Sequence, residues 1–430
     1  MGDRRAWVAE LLSAVEIERP VRSVAVLARI LQREFQAVDV SFLITDLGGK
    51  AVVRLTGDNV ASGDGPKPLA LAGTVYGHVV RSQRPWIGSL EFEAVDAMGV
   101  LSHGPAQQSE PHSGLTKVIA PVTHRGDAIG LLELTLPEPP DRAQLDHMTE
   151  AAHALAYVVI VNRRFTDLYE WGRRTTPMSL ASEIQHQLLP ESYTCEAGPV
   201  TLAGSLEPAA QVGGDTFDYA LGENGITVSL TDAMGHDVRA AQLATVVVAA
   251  LRNARRTGQG LIDQARAANQ AVVEHAVQEH DAVTEQTEQV RGALAEHGAQ
   301  AMVTGQLMWI GFDTGENAFV NAGHQFPLRL RDGRAEQLTP LVDIPFGILP
   351  ESGYRLQSLD LRPGDRLLLL TDGMLEPTQE DRSLRRLLEA TASEHPREAV
   401  QAFTRSVLAD QGHDPRDDAT ALCLDFKNSS

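Results

Sequence analysis

RPGDRLLLLTDGMLEP, residues 362–377, holds the stretch whose reading decides the fold. Its centre, Arg366 to Leu370, has the apolar continuity of a strand buried on both faces, and Thr371-Asp372-Gly373 then sets a carboxylate beside a tight turn. The same grammar recurs in ITVSLTDAMGH, residues 226–236, where an apolar run leads to Asp232 and Gly235 permits the bend into a long apolar helix. In VGGDTFDY, residues 212–219, Gly213-Gly214 allow the backbone to come close to whatever Asp215 binds. Asp417-Asp418 stand immediately before the strand-like ATALCLDF. One Asp beside Gly at a strand end is more often a turn residue than a ligand. The repetition is what carries information.

Carboxylates gathered at strand ends repel one another unless cations neutralise them, and an all-oxygen donor set favours Mg²⁺ or Mn²⁺ over zinc or copper. Two such ions about 3.5–4 Å apart can lower the pKa of a bridging water and clamp a phosphoryl oxygen for in-line attack. That is hydrolysis without a protein nucleophile. The chain has no GxSxG elbow, no HExxH and no GxxxxGK[ST] phosphate loop to compete with it.

Composition agrees. The formal net charge of -20 disfavours a grip on nucleic-acid phosphates or on an anionic bilayer, and suits cation binding. No run approaches the roughly 20 apolar residues that span a bilayer, and MGDRRAWVAE lacks the apolar region of a secretory signal, so a cytoplasmic location is expected. Cys195 and Cys423 are too few for a disulfide framework or a zinc site. Any metal is therefore held by oxygen.

Working outward, the 430 residues are expected to make two domains and a connector. Val24, Leu27, Leu31 and Phe35 share one helical face between Pro20 and Phe35, ahead of the strands VSFLIT and AVVRL. VIAPV and AIGLLELTL flank a polar turn at His124 to Asp127 and read as a hairpin closing the first unit. Segments 60–68 and 101–114, rich in Gly, Pro, Ser and Gln, read as loops. Leu145, Met148, Ala152, Leu155 and Val159 form a helical stripe from Asp141 to about Trp171, and SLASEIQHQLLP gives a further helix ending at Pro190. Beyond it come short strands, VTLAGSL, ITVSLTD, LMWIGFD, AFVNAGH, RLLLLTDG and ATALCLDF, interrupted by helices over Val238–Arg256 and about 261–298. The later part of the second helix, residues 279–299, is polar and acidic and reads as a solvated extension or loop.

The ordered motifs VGGDTFDY, LTDAMGHDVRAAQLA, VNAGHQFPL, RPGDRLLLLTDGMLEP and RDDAT resemble the protein phosphatase 2C family, more closely its bacterial branch named after the sporulation stage II phosphatase. The resemblance covers residues 180–427 and implies a four-layer α-β-β-α sandwich with a binuclear Mn²⁺ or Mg²⁺ centre between the sheets. It implies that Asp232 bridges both metals, that the Ala233 carbonyl assists one, that Asp372 and Asp417 complete the other metal's shell, and that Asp215 lies at the second metal, directly or through water. Asp232, Asp372 and Asp417 are thus the catalytic residues it implies. Asp218 and Asp418 are left between a ligand-shell role and a turn. His236 and His324, each following Gly, are read as backbone hydrogen-bonding residues in preference to general acids. Thr216 and Asp237 replace an aromatic and a glycine usual in the family, and neither change removes a ligand.

The first domain resembles a GAF domain, with GTVYGHVVRSQRPWI at 73–87 as its middle helix and next strand. A ligand-binding sensor and a solid-cored dimerisation scaffold both remain open for it. The expected class is α+β, with a GAF-like sensory domain at 1–140, a helical linker at 141–190 and a phosphatase domain at 191–430. The expected activity is metal-dependent hydrolysis of phosphoserine or phosphothreonine on a partner protein. The resemblance implies an anti-anti-sigma factor as that partner, and a homodimer through the linker helices is expected. The alternatives are a catalytically weak signalling adaptor whose phosphatase fold only binds a partner protein, and a chain whose N-terminal domain binds a small molecule as its main function.

Overall fold

The computed structural model describes residues 2–55, 65–89, 114–208, 213–235, 237–284, 301–312, 316–375, 381–411 and 417–427. The chain divides into two compact units, Met1–Pro177 and Met178–Ser430. Among the described residues no helix is long and apolar enough to cross a membrane.

The first unit is built on an antiparallel six-stranded sheet of order β3-β2-β1-β6-β5-β4. Its strands are β1 (Asp39–Thr45), β2 (Ala51–Leu55), β3 (Pro68–Ala70), β4 (Trp86–Ser89), β5 (Thr116–His124) and β6 (Asp127–Leu136). Alternate residues of each strand face opposite sides. Phe42, Ile44, Val118, Ala120, Leu132 and Leu134 join the larger core with α1 (Gly2–Ile17), α2 (Ser23–Glu34), α4 (Arg142–Asn162) and α5 (Leu168–Arg173). Leu43, Val52, Ile119 and Leu131 face the other way, toward α3 (Val75–Ser82). Both faces are covered, which is why these strands read as unbroken apolar runs. Arg125 and Gly126, with φ of 47° and 80°, make the two-residue turn of the β5–β6 hairpin. Asp141 and Gln144 cap α4 reciprocally, each side chain accepting from the other's backbone N–H. The hairpin does not close the unit, because α4 and α5 follow it and complete the core. Residues 60–64 and 101–113, read as loop, lie outside the described residues.

The second unit has two antiparallel sheets, one of order β12-β11-β10-β9 and one of order β14-β13-β15-β16-β8-β7. The first comprises β9 (Asp215–Leu221), β10 (Gly225–Ala233), β11 (Val303–Gly311) and β12 (Asn317–Ala322). The second comprises β7 (Thr194–Ala197), β8 (Val200–Glu207), β13 (Leu328–Arg331), β14 (Arg334–Gln337), β15 (Arg366–Leu370) and β16 (Ala419–Phe426). A core of Phe217, Val228, Leu230, Met308 and Phe319 from the one and Leu202, Leu367, Leu369, Leu422 and Leu424 from the other lies between them. The opposite face of the four-stranded sheet, with Val303, Leu307 and Val320, packs against α7 (Asp237–Arg256) and α8 (Leu261–Thr284). The opposite face of the six-stranded sheet, with Leu368, Leu370 and Cys423, packs against α9 (Asp381–Ala390) and α10 (Pro396–Gln411).

Among the described residues, the helices foreseen over Val238–Arg256 and from about 261 are joined by α9 and α10, which the sequence reading did not foresee. Residues 285–298, read as part of the second helix, lie outside the described residues. The stretch 141–190 is divided: α4 and α5 belong to the first unit, and α6 (Leu180–Leu188) to the second, where Ala181, Ser182 and Gln185 are buried.

Candidate functional site

Strand parity gathers the acidic residues. Along β10, Ile226, Val228 and Leu230 face the inter-sheet core, so Asp232 continues that row at the strand's end. Along β9, Phe217 faces inward, and so does Asp215, which stands directly opposite Asp232 in the ladder. Leu367 and Leu369 give the same parity to Thr371, and Leu422 and Leu424 give it to Thr420 and Asp418. Neighbouring strands are antiparallel, so the start of β9 and the end of β10 share one edge, as do the start of β16 and the end of β15. Asp232 ends a strand, Asp372 follows one, and Asp215, Asp417 and Asp418 begin or precede one. All five come to one end of the inter-sheet space.

The sheets are stitched together there. The Asp215 carboxylate Oδ2 accepts 2.6 Å hydrogen bonds from the Thr371 and Thr420 hydroxyls of the opposite sheet. Asp418 Oδ2 accepts from the Gly214 N–H at 3.1 Å and from Gln185 Nε2 at 2.5 Å. The same Gln185 amide nitrogen donates to the Asp215 carbonyl at 2.8 Å, so one side chain of α6 holds both sheets. A Cβ on Gly373 would lie 1.9 Å from the Asp418 carbonyl oxygen, so only glycine lets the turn after β15 approach β16 this closely. A Cβ on Gly214 would lie 2.4 Å from the Ala233 carbonyl. That glycine makes room for the neighbouring strand, where the sequence suggested room for a ligand.

The electrostatics follow from this crowding. Burial, and then Asp232 and Asp418, hold the Asp215 carboxyl well above the usual range against the pull of its two threonine hydroxyls. Burial, and then Asp372, Asp417 and Asp418, push Asp232 up to about 7. Asp417, exposed at the rim, is raised by partial enclosure of its carboxyl and by Asp372 and Asp418, against a 2.8 Å hydrogen bond from the Asp418 N–H. Mutually destabilised carboxylates with no cationic side chain among these causes are the donor chemistry of a divalent-cation site. Among the described residues, though, no three His, Cys, Asp or Glu side chains close round a common point. The donors fit the cation in kind and are drawn from both sheets.

Other residues separate from the cluster. Asp218 is buried and paired with Arg252 at 3.0 Å and Arg255 at 2.9 Å, which ties β9 to α7. Thr216 faces away and bonds Thr231 across the ladder at 2.6 Å. His324 is buried with both ring nitrogens partnered, by Thr304 Oγ1 at 2.7 Å and the Leu370 carbonyl at 3.2 Å, and burial lowers it to about 4. A neutral, fully partnered imidazole is a poor general acid. His236 lies outside the described residues. Gln185 was missed, because nothing in its spacing distinguishes it from any polar residue of an amphipathic helix.

Residues 222–427 match the sequence model of the family Stage II sporulation protein E (SpoIIE). A comparison with curated protein sequences returns no match. Among solved structures, the chain is similar to the RsbU and RsbW domains of a Mycobacterium tuberculosis protein, at 22% identity and TM-score 0.44 over 55% of this chain and 63% of that one. It is similar to the SiaA PP2C domain of Pseudomonas aeruginosa, at 22% identity and TM-score 0.44 over 57% of this chain and 94% of that one. It is similar also to the PP2C phosphatase domain and regulatory fragment of SpoIIE from Bacillus subtilis, at 18% identity and TM-score 0.42 over 54% and 63%. The first and third of these matches span less than two thirds of the solved chain.

Proposed function

We propose that this chain, whose second unit carries a PP2C-type phosphatase domain of the SpoIIE family, hydrolyses phosphoserine or phosphothreonine on a regulatory protein with the help of Mn²⁺ or Mg²⁺. The observation that carries the proposal is the convergence of Asp215, Asp232, Asp372, Asp417 and Asp418 from both sheets, with Asp232 pushed up to about 7 by burial and by its acidic neighbours. Such a cluster is costly until a cation joins it.

In this reading Asp215, Asp232, Asp372 and Asp417, with the Ala233 carbonyl, are the residues that would hold the cations. Bound there, the cations would supply charge for an attacking water and for the phosphoryl oxygens. The chain's own part is positioning. Thr371 and Thr420 hold Asp215 in one orientation, and Gln185 and the Gly214 N–H hold Asp418. The order helix pair, sheet, sheet, helix pair supports the four-layer α-β-β-α sandwich.

The substrate we propose is a phosphorylated anti-anti-sigma factor, as the motif resemblance implies. A GAF-like sensory role for the first unit is supported by its sheet with helices on both faces. Pairing of two copies through the helices after Asp141 completes the proposal. Phosphate release from phosphoserine and phosphothreonine proteins, with Mn²⁺ and with EDTA, tests it. Release that needs Mn²⁺ and is absent on phosphotyrosine agrees. No release in any condition, with full-length protein and with residues 178–430, would favour the adaptor reading.

A further inference from the structure

His324 is more than a satisfied core histidine, because its two partners belong to the two halves of the candidate site. The Leu370 carbonyl can only accept, so Nε2 carries the ring proton, and Nδ1 is left to accept from the Thr304 hydroxyl. Leu370 ends β15, two residues before Asp372. Thr304 lies on β11 directly opposite Asp232. The imidazole therefore spans from the strand that delivers one proposed ligand to the strand beside another.

Its own placement is fixed from both directions. The His324 N–H donates to Asn321 Oδ1 at 2.7 Å, and Asn321 Nδ2 donates back to the His324 carbonyl at 3.1 Å. Gly323 before it has φ of 72°, and a Cβ there would lie 2.4 Å from Pro345. On the β9 side of the site, the Thr371 and Thr420 hydroxyls cross between the sheets to Asp215. On the β11 side, the described crossing beside the acidic cluster is made by His324.

We propose that His324 is a positioning residue that sets the spacing between β15, which leads to Asp372, and β11, which pairs with the Asp232 strand, and through it the fit of the carboxylates to their cations. This rests on the phosphatase reading given above. A side chain that orients metal ligands from behind is worth roughly 10–100-fold in metal affinity or activity. Its loss acts on the cation's grip first. Abundant cation then restores turnover, which a general acid's loss would not permit.

The test is Mn²⁺ binding by calorimetry to full-length metal-free protein, together with the Mn²⁺ dependence of turnover, in wild type, His324→Ala and His324→Gln. In the Ala variant we expect the Mn²⁺ dissociation constant to rise roughly 10–100-fold, with turnover at saturating Mn²⁺ near that of wild type. The Gln variant, whose amide can still donate to the Leu370 carbonyl, should recover most of the affinity. An Ala variant that melts earlier but binds Mn²⁺ as wild type does would overturn the inference and leave His324 a packing residue. Nitrogen-15 spectra of the wild-type imidazole test it without any variant: a neutral Nε2–H ring at pH 6 agrees, and an imidazolium or an Nδ1–H ring contradicts. Wild-type protein that neither binds Mn²⁺ nor turns over would instead remove the phosphatase reading itself.

Discussion

Asp232 links charge, proton and stability. Burial and then three acidic neighbours push its carboxyl up to about 7, so the metal-free fold keeps a proton there at pH values where the unfolded chain has released it. Between the ordinary carboxylate range and about 7 the folded state binds more protons, so this group's contribution to stability falls as pH rises through that window. An asparagine carries no such charge. In EDTA, the melting temperature of Asp232→Asn should therefore gain on wild type as pH rises from about 4 to 8. Adding Mn²⁺ at pH 8 should reverse the order by stabilising only the wild type. Parallel pH profiles for the two proteins would contradict this electrostatic account. Asp215 is held up by the same crowding, but its two threonine hydroxyls fix its orientation as well. Its role is read from hydrogen bonds more than from charge.

At the scale of elements, the ion pairs of Asp218 fasten α7 to β9 away from the acidic cluster. Removing one partner of a buried pair leaves the other unpaired, so Asp218→Ala should cost about 3 kcal/mol of stability in denaturant titrations, the low end for partly exposed arginines. Mn²⁺ affinity should move little. A large loss of affinity with unchanged stability would instead put Asp218 among the ligands. The two results separate the roles that the sequence left open. Strands β10 and β15 were legible because their apolar runs lead to an Asp with a Gly close behind it, and β16 because an apolar run follows Asp417-Asp418. The helices α9 and α10 were passed over although Leu384 with Leu388, and Val400 with Phe403 and Val407, carry helical spacing. The first helix, α1, was hidden by its mixed composition, with Leu11 and Val15 as its described core residues. The contacts of Gln185 and His324 join residues 233 and 46 positions apart, and no local pattern announces them.

At the scale of the molecule, the two units have separate cores, and the division falls at Pro177 and Met178. A cut at residue 140, where the hairpin ends, would strip α4 from the core that Met148, Ala152 and Leu155 complete. Residues 178–430 should therefore fold alone with a cooperative melt, while residues 141–430 should expose that apolar stripe and aggregate. Size-exclusion chromatography of the two fragments decides this, and equal behaviour would contradict it. If the first unit governs the second, residues 178–430 should differ from full-length protein in turnover or oligomeric state. On the proposed reading, the acidic end of the inter-sheet space holds the cations of a phosphatase. The most direct measurement is p-nitrophenyl phosphate hydrolysis by full-length protein with Mn²⁺, with EDTA, and with Asp232→Ala or Asp372→Ala. Turnover should need Mn²⁺ and fall roughly a hundredfold or more in either variant. Turnover that survives both EDTA and these substitutions would contradict it.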